Sequence, residues 1–163
     1  MKTIDKLICF VCKIIAKLFK REQDGTFVNG LVQFVKFGIV GVSNTMISYV
    51  INVIVLMVMK PLSVSWDYFV GNIVSFFLSV LWSFYWNNRY VFTQKEGQNR
   101  AIGRALLKTY ICYGFTGIIL NNILSWIWVG ILGISKYIAP LINLLVSVPI
   151  NFFMNKLWAF SDK

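Results

Sequence analysis

Long stretches without a charged residue occupy most of the chain. They run from Lys36 to Lys60, Asp67 to Arg89, Lys108 to Lys136 and Lys136 to Lys156. Each is close to the roughly 20 apolar residues that a helix needs to cross a hydrocarbon core about 30 Å thick. The pattern predicts four transmembrane helices, at about residues 37–59, 68–87, 109–132 and 137–155.

Composition separates these helices from the buried helices of a soluble protein. Of the 163 residues, 58% are hydrophobic, and the mean hydropathy is +0.69. Soluble domains contain about 45–50% apolar residues. Four such helices leave too little polar chain to cover them, so the sequence predicts an all-α membrane protein.

The distribution of basic residues predicts the orientation of the chain. The net charge is +10, and Lys and Arg concentrate in every second connection: residues 1–36, the loop 88–108 and the C-terminal tail. Cytoplasmic loops carry such an excess. We therefore expect a multi-pass protein of the cell (plasma) membrane with both termini cytoplasmic. The charge is assigned to topology and anionic membrane lipid, and nucleic acid is not expected as a partner.

Residues 1–24 are predicted to form an amphipathic cytoplasmic-face helix and a loop. Apolar residues recur there at helical spacing, and Lys6, Lys13 and Lys17 interrupt any signal-peptide core. A basic amphipathic helix is typical of a segment that lies in the membrane interface. Packing on a partner protein is the alternative. The stretch REQDGTFVNG, residues 21–30, is expected to be a loop.

An internal repeat relates the two halves of the membrane region. Residues 70–92 and 138–160 align without a gap, so that Ser79 meets Ser147, Asn87 meets Asn155, and Phe92 meets Phe160. The repeating unit is a two-helix hairpin. Two spans per unit preserve orientation, so the four helices are predicted to form two parallel hairpin repeats about an axis along the membrane normal.

Polar residues at spacings of three and four form a stripe on each predicted span. The stripes are Asn44, Ser48 and Asn52; Asn72, Ser75, Ser79, Ser83 and Asn87; Thr116, Gly117, Asn121, Asn122 and Ser125; and Asn143, Ser147, Asn151 and Asn155. This spacing places each set on one helix face, which should turn inward. The stripes either pack the helices through interhelical hydrogen bonds or line a groove for a polar headgroup.

Catalytic and metal-binding chemistry is poorly supported. The predicted spans contain no Asp, Glu or His, and the chain has no carboxylate pair suited to acid–base catalysis. Cys9 and Cys12 have C-x-x-C spacing, but no second cysteine pair or histidine completes a metal site. We therefore expect a protein that is not an enzyme, with a structural C-x-x-C pair, no metal and no cofactor.

Three stretches carry a resemblance to a known family: FVKFGIVGVSNT, VGNIVSFFLSVLWSFYWNNRYVF and VPINFFMNKLWAF. From about residue 33 to 160 they resemble the GtrA-like family of four-span membrane proteins. The matching positions are Gly38, Gly41, Asn72, Asn87, Arg89, Phe92, Asn151, Asn155, Lys156 and Phe160. One departure is that Asn88 stands where family members often have Arg, and Arg89 follows one position later.

The resemblance implies a role in cell-surface polysaccharide or teichoic-acid glycosylation. The expected function is to flip a polyprenyl-phosphate-linked sugar across the membrane. A membrane glycosyltransferase is the expected partner. The alternatives are a non-transporting anchor or partner subunit of such a glycosyltransferase, and a small multidrug-type exporter. The lack of an intramembrane acid disfavours a cation antiporter. Because a four-helix bundle is narrow, a homodimer is an alternative to a monomer.

The candidate site residues combine the stripes with the basic ends of the spans. Headgroup candidates are Asn44, Asn72, Ser83, Asn87, Arg89, Asn121, Asn151, Asn155 and Lys156, and phosphate candidates are Lys36, Arg89, Lys108 and Lys156. Positive-inside anchoring is the alternative role of each cation. Tyr49, Tyr85, Trp86, Tyr113, Trp126 and Trp128 are candidates for stacking on sugar. A vestibule formed by Ser83, Asn87, Asn151 and Asn155 is the specific hypothesis.

Overall fold

The regular structure is helical throughout the part of the chain that the structure describes, with no strand. This computed structural model describes residues 2–18, 24–62, 67–94, 100–136 and 138–161. Within those ranges, four helices are long and apolar enough to cross a membrane: Gly25–Met59, Phe69–Val91, Ile102–Ile131 and Ala139–Ala159. They are called the first to fourth spans. The predicted all-α membrane protein with four spans is confirmed.

The spans are not uniform α-helices. The second is α-helical over Asp67–Trp86 and π-helical over Asn87–Val91. The third passes through Ile102–Gly114 (α), Phe115–Leu120 (π), Asn121–Ser125 (α) and Trp126–Ile131 (π). The fourth is α-helical over Ala139–Met154 and π-helical over Asn155–Ala159. A short 3₁₀ turn, Lys60–Leu62, follows the first span.

The first span begins earlier than the sequence predicts. Asp24 caps the helix: one carboxylate oxygen accepts from the backbone N–H groups of Thr26 and Phe27, both at 3.1 Å. Such a cap satisfies donors that the first helical turn leaves unpaired. Residues 25–30, expected to be a loop, are therefore helical. The 35-residue helix is about 52 Å long at 1.5 Å per residue, so it extends well beyond the hydrocarbon core.

The first and second spans form one antiparallel hairpin, and the third and fourth spans form another. Polar contacts join the two helices of each hairpin. In the first hairpin, Asn52 Nδ2 donates to Asn72 Oδ1 at 3.0 Å, and Trp82 Nε1 donates to Ser43 Oγ at 3.2 Å. In the second, Asn143 Nδ2 donates to Ser125 Oγ at 2.8 Å and to the Asn121 carbonyl at 3.2 Å. Part of each polar stripe therefore joins the helices of a hairpin.

The even-numbered spans end in matching π-helical turns. The backbone N–H of Phe92 donates to the Asn87 carbonyl at 2.7 Å, and that of Phe160 donates to the Asn155 carbonyl at 2.8 Å. Both asparagines are 0% exposed. The repeated sequence Asn-x-x-x-x-Phe thus closes the same backbone turn twice.

An aromatic cluster fills the interior at this end of the bundle. The Phe92 and Phe160 rings stack with centroids 4.8 Å apart, and Phe84 stacks on Phe160 at 5.5 Å. Phe37 from the first span packs edge-on against Phe152 at 5.5 Å. The phenylalanines of both repeats therefore form one core. We call this the basic end of the bundle, because Lys36, Arg89, Lys108 and Lys156 lie beside it.

The N-terminal helix, α1 (Lys2–Leu18), packs on the first span with one of three faces. Ile8, Cys12 and Ala16 are buried in this contact. A second face is apolar and exposed and comprises Leu7, Phe10, Val11, Ile14 and Leu18. A third face carries the exposed Lys6, Lys13 and Lys17. The exposed apolar and basic faces suit a helix at the membrane interface, which stays a prediction.

Candidate functional site

The interior of the bundle contains a cavity of about 570 Å³ between the first, third and fourth spans. Its lining comprises Phe37, Gly38, Gly41, Val42, Asn44, Thr45, Tyr113, Thr116, Gly117, Asn121, Leu144, Ser147, Val148 and Asn151. Val42 and Leu144, at its margin, are 65% and 56% exposed. The cavity therefore opens sideways, toward the position of lipid, between the first and fourth spans.

A second cavity of about 500 Å³ lies between the first, second and third spans. It is lined by Asn44, Thr45, Ser48, Tyr49, Asn52, Asn72, Ser75, Phe76, Ser79, Val80, Tyr113 and Gly117. The two cavities share Asn44, Thr45, Tyr113 and Gly117, so they adjoin. Together they form what we call the polar groove.

The groove follows the internal repeat. The repeat equates the first span with the third and the second with the fourth. The larger cavity lies between the first, third and fourth spans. If each of these spans is replaced by its equivalent in the other repeat, the set becomes the third, first and second spans, which surround the smaller cavity. The groove therefore lies between the two hairpins.

The groove combines apolar walls with polar side chains that are all uncharged. Its polar side chains are amides, hydroxyls and the phenol groups of Tyr49 and Tyr113, and no acidic or basic residue contributes to either cavity. Amides and hydroxyls can both donate and accept hydrogen bonds. Such a surface suits a ligand rich in hydroxyl groups better than an inorganic cation.

Tyr113 and Gly117 bring the third span to the junction of the two cavities. The Tyr113 hydroxyl lies 2.5 Å from Ser83 Oγ on the second span, and Asn87 Nδ2 donates to the same Ser83 oxygen at 3.1 Å. This contact holds the phenol ring in place. The sequence proposed Tyr113 only as a stacking residue, because a tyrosine in a span gives no pattern that marks it as a junction.

The predicted headgroup residues separate into two groups. Asn44, Asn72, Asn121 and Asn151 line the groove. The structure places Ser83, Asn87 and Asn155 outside both cavities, each 0% exposed.

The second group is engaged in packing. Asn155 Nδ2 donates to the Asn151 carbonyl and to Asn151 Oδ1, both at 2.9 Å. Of the four residues of the hypothesised vestibule, Asn151 alone faces the groove described here. Asn87 and Asn155 make hydrogen bonds within the ends of the second and fourth spans, and Ser83 also contacts Tyr113 of the third span.

Two of the four predicted phosphate ligands have partners within the protein. Lys36 Nζ lies 2.7 Å from Asp5 Oδ1 of α1 and 4.3 Å from the centre of the Tyr90 ring. The hydrogen bond from Lys36 is the main reason that the pKa of Asp5 lies below its usual value. Lys108 Nζ donates to the Trp158 carbonyl at 3.1 Å and lies 5.4 Å from that residue's ring. Both lysines therefore stabilise the basic end.

The other two phosphate candidates differ from these. Arg89 is exposed and Lys156 is half-buried. Neither has a carboxylate partner among the residues that the structure describes. Lys156 adjoins a separate cavity between the first and fourth spans. These cations remain available for an anionic ligand.

Potential metal ligands are dispersed over the described ranges. Cys9, Cys12 and Cys112 are all free thiols. Across the described ranges, no three His, Cys, Asp or Glu side chains lie close enough together to hold an ion. Cys12 is buried against the first span, and burial raises the pKa of its thiol. A packing role accounts for this cysteine.

Comparison with known proteins identifies the membrane region. No curated protein matches the chain. A family model, described as the GtrA/DPMS transmembrane domain, matches residues 36–160, which include most of the first span and all of the other three. The matched range covers the groove and both π-helical ends. The chain therefore belongs to the GtrA/DPMS transmembrane-domain family.

Proposed function

We propose that the protein translocates a polyprenyl-phosphate-linked sugar across the membrane, by carrying the sugar along the polar groove while the apolar tail stays in lipid. The family supports a membrane protein of polyprenyl-phosphate sugar processes. The observation that carries the proposal is a neutral, hydrogen-bonding groove that opens sideways between two spans.

The length of the groove fits this task. On the first span its lining extends from Phe37 to Asn52, which is about 22 Å at 1.5 Å per residue. A hydrocarbon core is about 30 Å thick. The groove thus covers most of the distance over which a sugar would otherwise lose its water.

The chemistry of the lining supports the same function. Burying a hydroxyl group without a hydrogen bond costs about 1–3 kcal/mol by protein mutational data, and a sugar has several hydroxyls. Asn44, Asn121 and Asn151 supply amide groups to the lining, and amides can donate and accept hydrogen bonds. They would replace water as the sugar passes. A groove without acids does not favour the cation-coupled exporter considered from the sequence.

The basic end of the bundle supports an orientation of the protein in the membrane that suits this function. We assign it to the cytoplasmic side, because Lys and Arg collect in cytoplasmic connections. Both termini are then cytoplasmic, and the plasma membrane is the proposed location. A cytoplasmic-side glycosyltransferase that makes the lipid-linked sugar is the proposed partner. The groove at Asn52 and Asn72 then faces the outer leaflet.

Reconstitution tests the proposal directly. Purified protein in liposomes should move a fluorescent polyprenyl-phosphate sugar between leaflets, measured as loss of protection from a membrane-impermeant quencher. Heat-unfolded protein and protein-free liposomes are the controls. Translocation no faster than in these controls, with the folded protein and its glycosyltransferase both present, would leave a non-transporting partner subunit as the function.

A further inference from the structure

A third cavity, of about 390 Å³, lies where the extended start of the first span crosses the fourth span. Its lining consists of Phe27, Gly30, Leu31, Phe34, Pro149, Phe152, Phe153 and Lys156. We call it the lysine cavity. It is separate from the polar groove, since none of its lining residues lines the groove.

The lysine cavity combines apolar walls with one cation. Lys156 is its only charged lining residue, and the other seven are aromatic, aliphatic, proline or glycine. Its Nζ lies 5.5 Å from the centre of the Phe152 ring. Lys36 and Lys108 are each held by a polar partner. Among the described residues, no carboxylate or carbonyl contacts Lys156.

Gly30 keeps the space around this ammonium group open. A Cβ atom at Gly30 would lie 3.7 Å from Lys156 Nζ, which is ordinary van der Waals contact. A methyl group therefore fits, whereas a larger side chain would occupy the cavity. The early start of the first span, fixed by the Asp24 cap, brings Gly30 to this position.

The cavity is also placed at the access point of the groove. Pro149 and Phe152 line the lysine cavity, while the intervening Asn151 lines the groove. Both spaces are bounded by the first and fourth spans, and the groove opens to lipid between those two spans. A ligand at Lys156 would lie one to two helical turns from Asn151.

We propose that the lysine cavity binds the phosphate and the first isoprene units of an isoprenoid phosphate lipid, with Lys156 pairing the phosphate. A partly desolvated cation favours an anion, and apolar walls favour a tail attached to it. The choice of an isoprenoid over a diacyl lipid rests on the proposed function. The bound lipid is positioned to present its headgroup to the groove.

The test measures binding alone, so it does not depend on translocation. Full-length protein in nanodiscs of zwitterionic lipid is titrated with farnesyl phosphate, with farnesol and inorganic phosphate as half-ligands. Lys156→Gln should weaken farnesyl phosphate binding about tenfold, the equivalent of 1.4 kcal/mol. Gly30→Leu should weaken it similarly by filling the cavity, whereas Gly30→Ala should bind normally.

Matched controls lie on the third span at the same end of the bundle. Arg104 is exposed, and a Cβ at Gly103 would meet no atom within 4 Å. Arg104→Gln and Gly103→Leu should leave binding unchanged. A melting temperature close to that of the unaltered protein confirms that each variant is folded. If Lys156→Gln fails to fold, Gly30→Leu against Gly30→Ala decides the assignment.

The possible results separate the site from the proposed function. Equal weakening by Arg104→Gln, or unchanged binding by Lys156→Gln and Gly30→Leu, overturns the site. Displacement of farnesyl phosphate by an equal concentration of phosphatidylglycerol also overturns it, since the cavity would then hold ordinary anionic lipid. Lys156-dependent binding without translocation in liposomes upholds the site and rejects the function. Translocation together with binding that does not depend on Lys156 upholds the function and rejects the site.

Discussion

Asparagines of the same polar stripes differ between the middle of the bundle and its basic end. Asn44 and Asn121, in the middle, line open space between helices. Asn87 and Asn155, at the basic end, are fully buried and begin the π-helical turns that Phe92 and Phe160 close. Equal spacing along a helix therefore does not imply an equal role. The contacts on the facing helix decide whether an amide is packed or available to a ligand.

The repeated Asn-x-x-x-x-Phe motif and the polar groove therefore have different roles. The motif occurs twice because two hairpins need the same closure, and its phenylalanines meet in one aromatic cluster. The groove lies between the hairpins and uses each repeat differently. Substitutions at the basic end should therefore reduce stability, whereas substitutions in the groove should reduce translocation.

The largest effect is expected from truncating the stacked rings. Phe92→Ala and Phe160→Ala should each lower the free energy of unfolding by about 3–5 kcal/mol, the usual cost of deleting a buried phenylalanine side chain. Thermal unfolding in detergent measures this. Phe153→Ala is the control, because Phe153 is 54% exposed. An equal loss in the control would show that the aromatic cluster is not the core of this end.

A smaller loss of stability is expected from the buried amides. Asn87→Ala removes a donor to Ser83, and Asn155→Ala removes donors to Asn151. Asn155→Ala should cost about 1–3 kcal/mol, because Asn151 Oδ1 loses its donor. Asn87→Ala should cost about 0.5–1.5 kcal/mol, because Ser83 keeps its contact with the Tyr113 hydroxyl. The same unfolding measurement applies. Variants that melt normally but do not translocate would return these residues to the hypothesised vestibule.

Substitutions in the groove should slow translocation and leave stability nearly unchanged. Asn44 lines both cavities, and Asn44→Leu removes its hydrogen-bonding groups. Losing one hydrogen bond to the passing sugar, about 1 kcal/mol, should slow translocation about fivefold. Stability should change by no more than about 0.6 kcal/mol.

Asn122→Leu is the matched control for this substitution. Asn122 is an exposed asparagine that donates to the Ile118 carbonyl of its own helix at 2.7 Å and lines neither cavity. Translocation should be normal in this variant. Equal slowing of both variants would point to a general effect of removing polarity from the spans.

The smallest effect is expected at α1, outside both regions. Asp5→Asn removes the ion pair with Lys36, so Cys12, which lies on the buried face of α1, should react faster with a pyridyl disulfide. Lys13→Gln on the exposed basic face is the control and should leave this rate unchanged.

The pH dependence of this contact follows from the lowered pKa of Asp5. The ion pair contributes fully above the usual pKa of 3.8 and is lost as the pH falls below it through the folded-state pKa. Thiolate formation itself changes the rate with pH, so the informative quantity is the Cys12 reaction rate in Asp5→Asn divided by the rate in the unaltered protein. This ratio should be constant from about pH 5 to 7 and fall toward one only in stronger acid, where the ion pair is lost in the unaltered protein as well. A change of the ratio near neutral pH would contradict control by Asp5.

The number of spans follows from the sequence because charge is costly in hydrocarbon and its absence is easy to read. The start of the first span could not be predicted in this way. Residues 21–30 were expected to form a loop, but the cap at Asp24 starts the helix at Gly25. The π-helical closures also escaped prediction, since a hydrogen bond between Phe92 and Asn87 leaves no hydrophobic period.

The site was predictable only in part. Helical spacing identified Asn44, Asn72, Asn121 and Asn151 as inward-facing polar residues, and these line the groove. Where helices leave space depends on their tertiary packing, which spacing does not contain. Lys36 and Lys108 have polar partners within the protein, whereas Lys156 lines a cavity. This difference likewise depends on contacts between segments that are distant in the sequence.

Filling the groove tests the central claim most directly. Gly117 lines both cavities, and a Cβ there would meet no atom within 4 Å, so Gly117→Phe should fill the groove without disturbing the helices. Gly114→Phe, on the same span with equally open space and outside the lining of both cavities, is the control. In liposomes, we expect Gly117→Phe to abolish translocation of a polyprenyl-phosphate sugar while its melting temperature and the activity of Gly114→Phe stay normal. Full translocation by a stably folded Gly117→Phe protein would contradict passage through the groove.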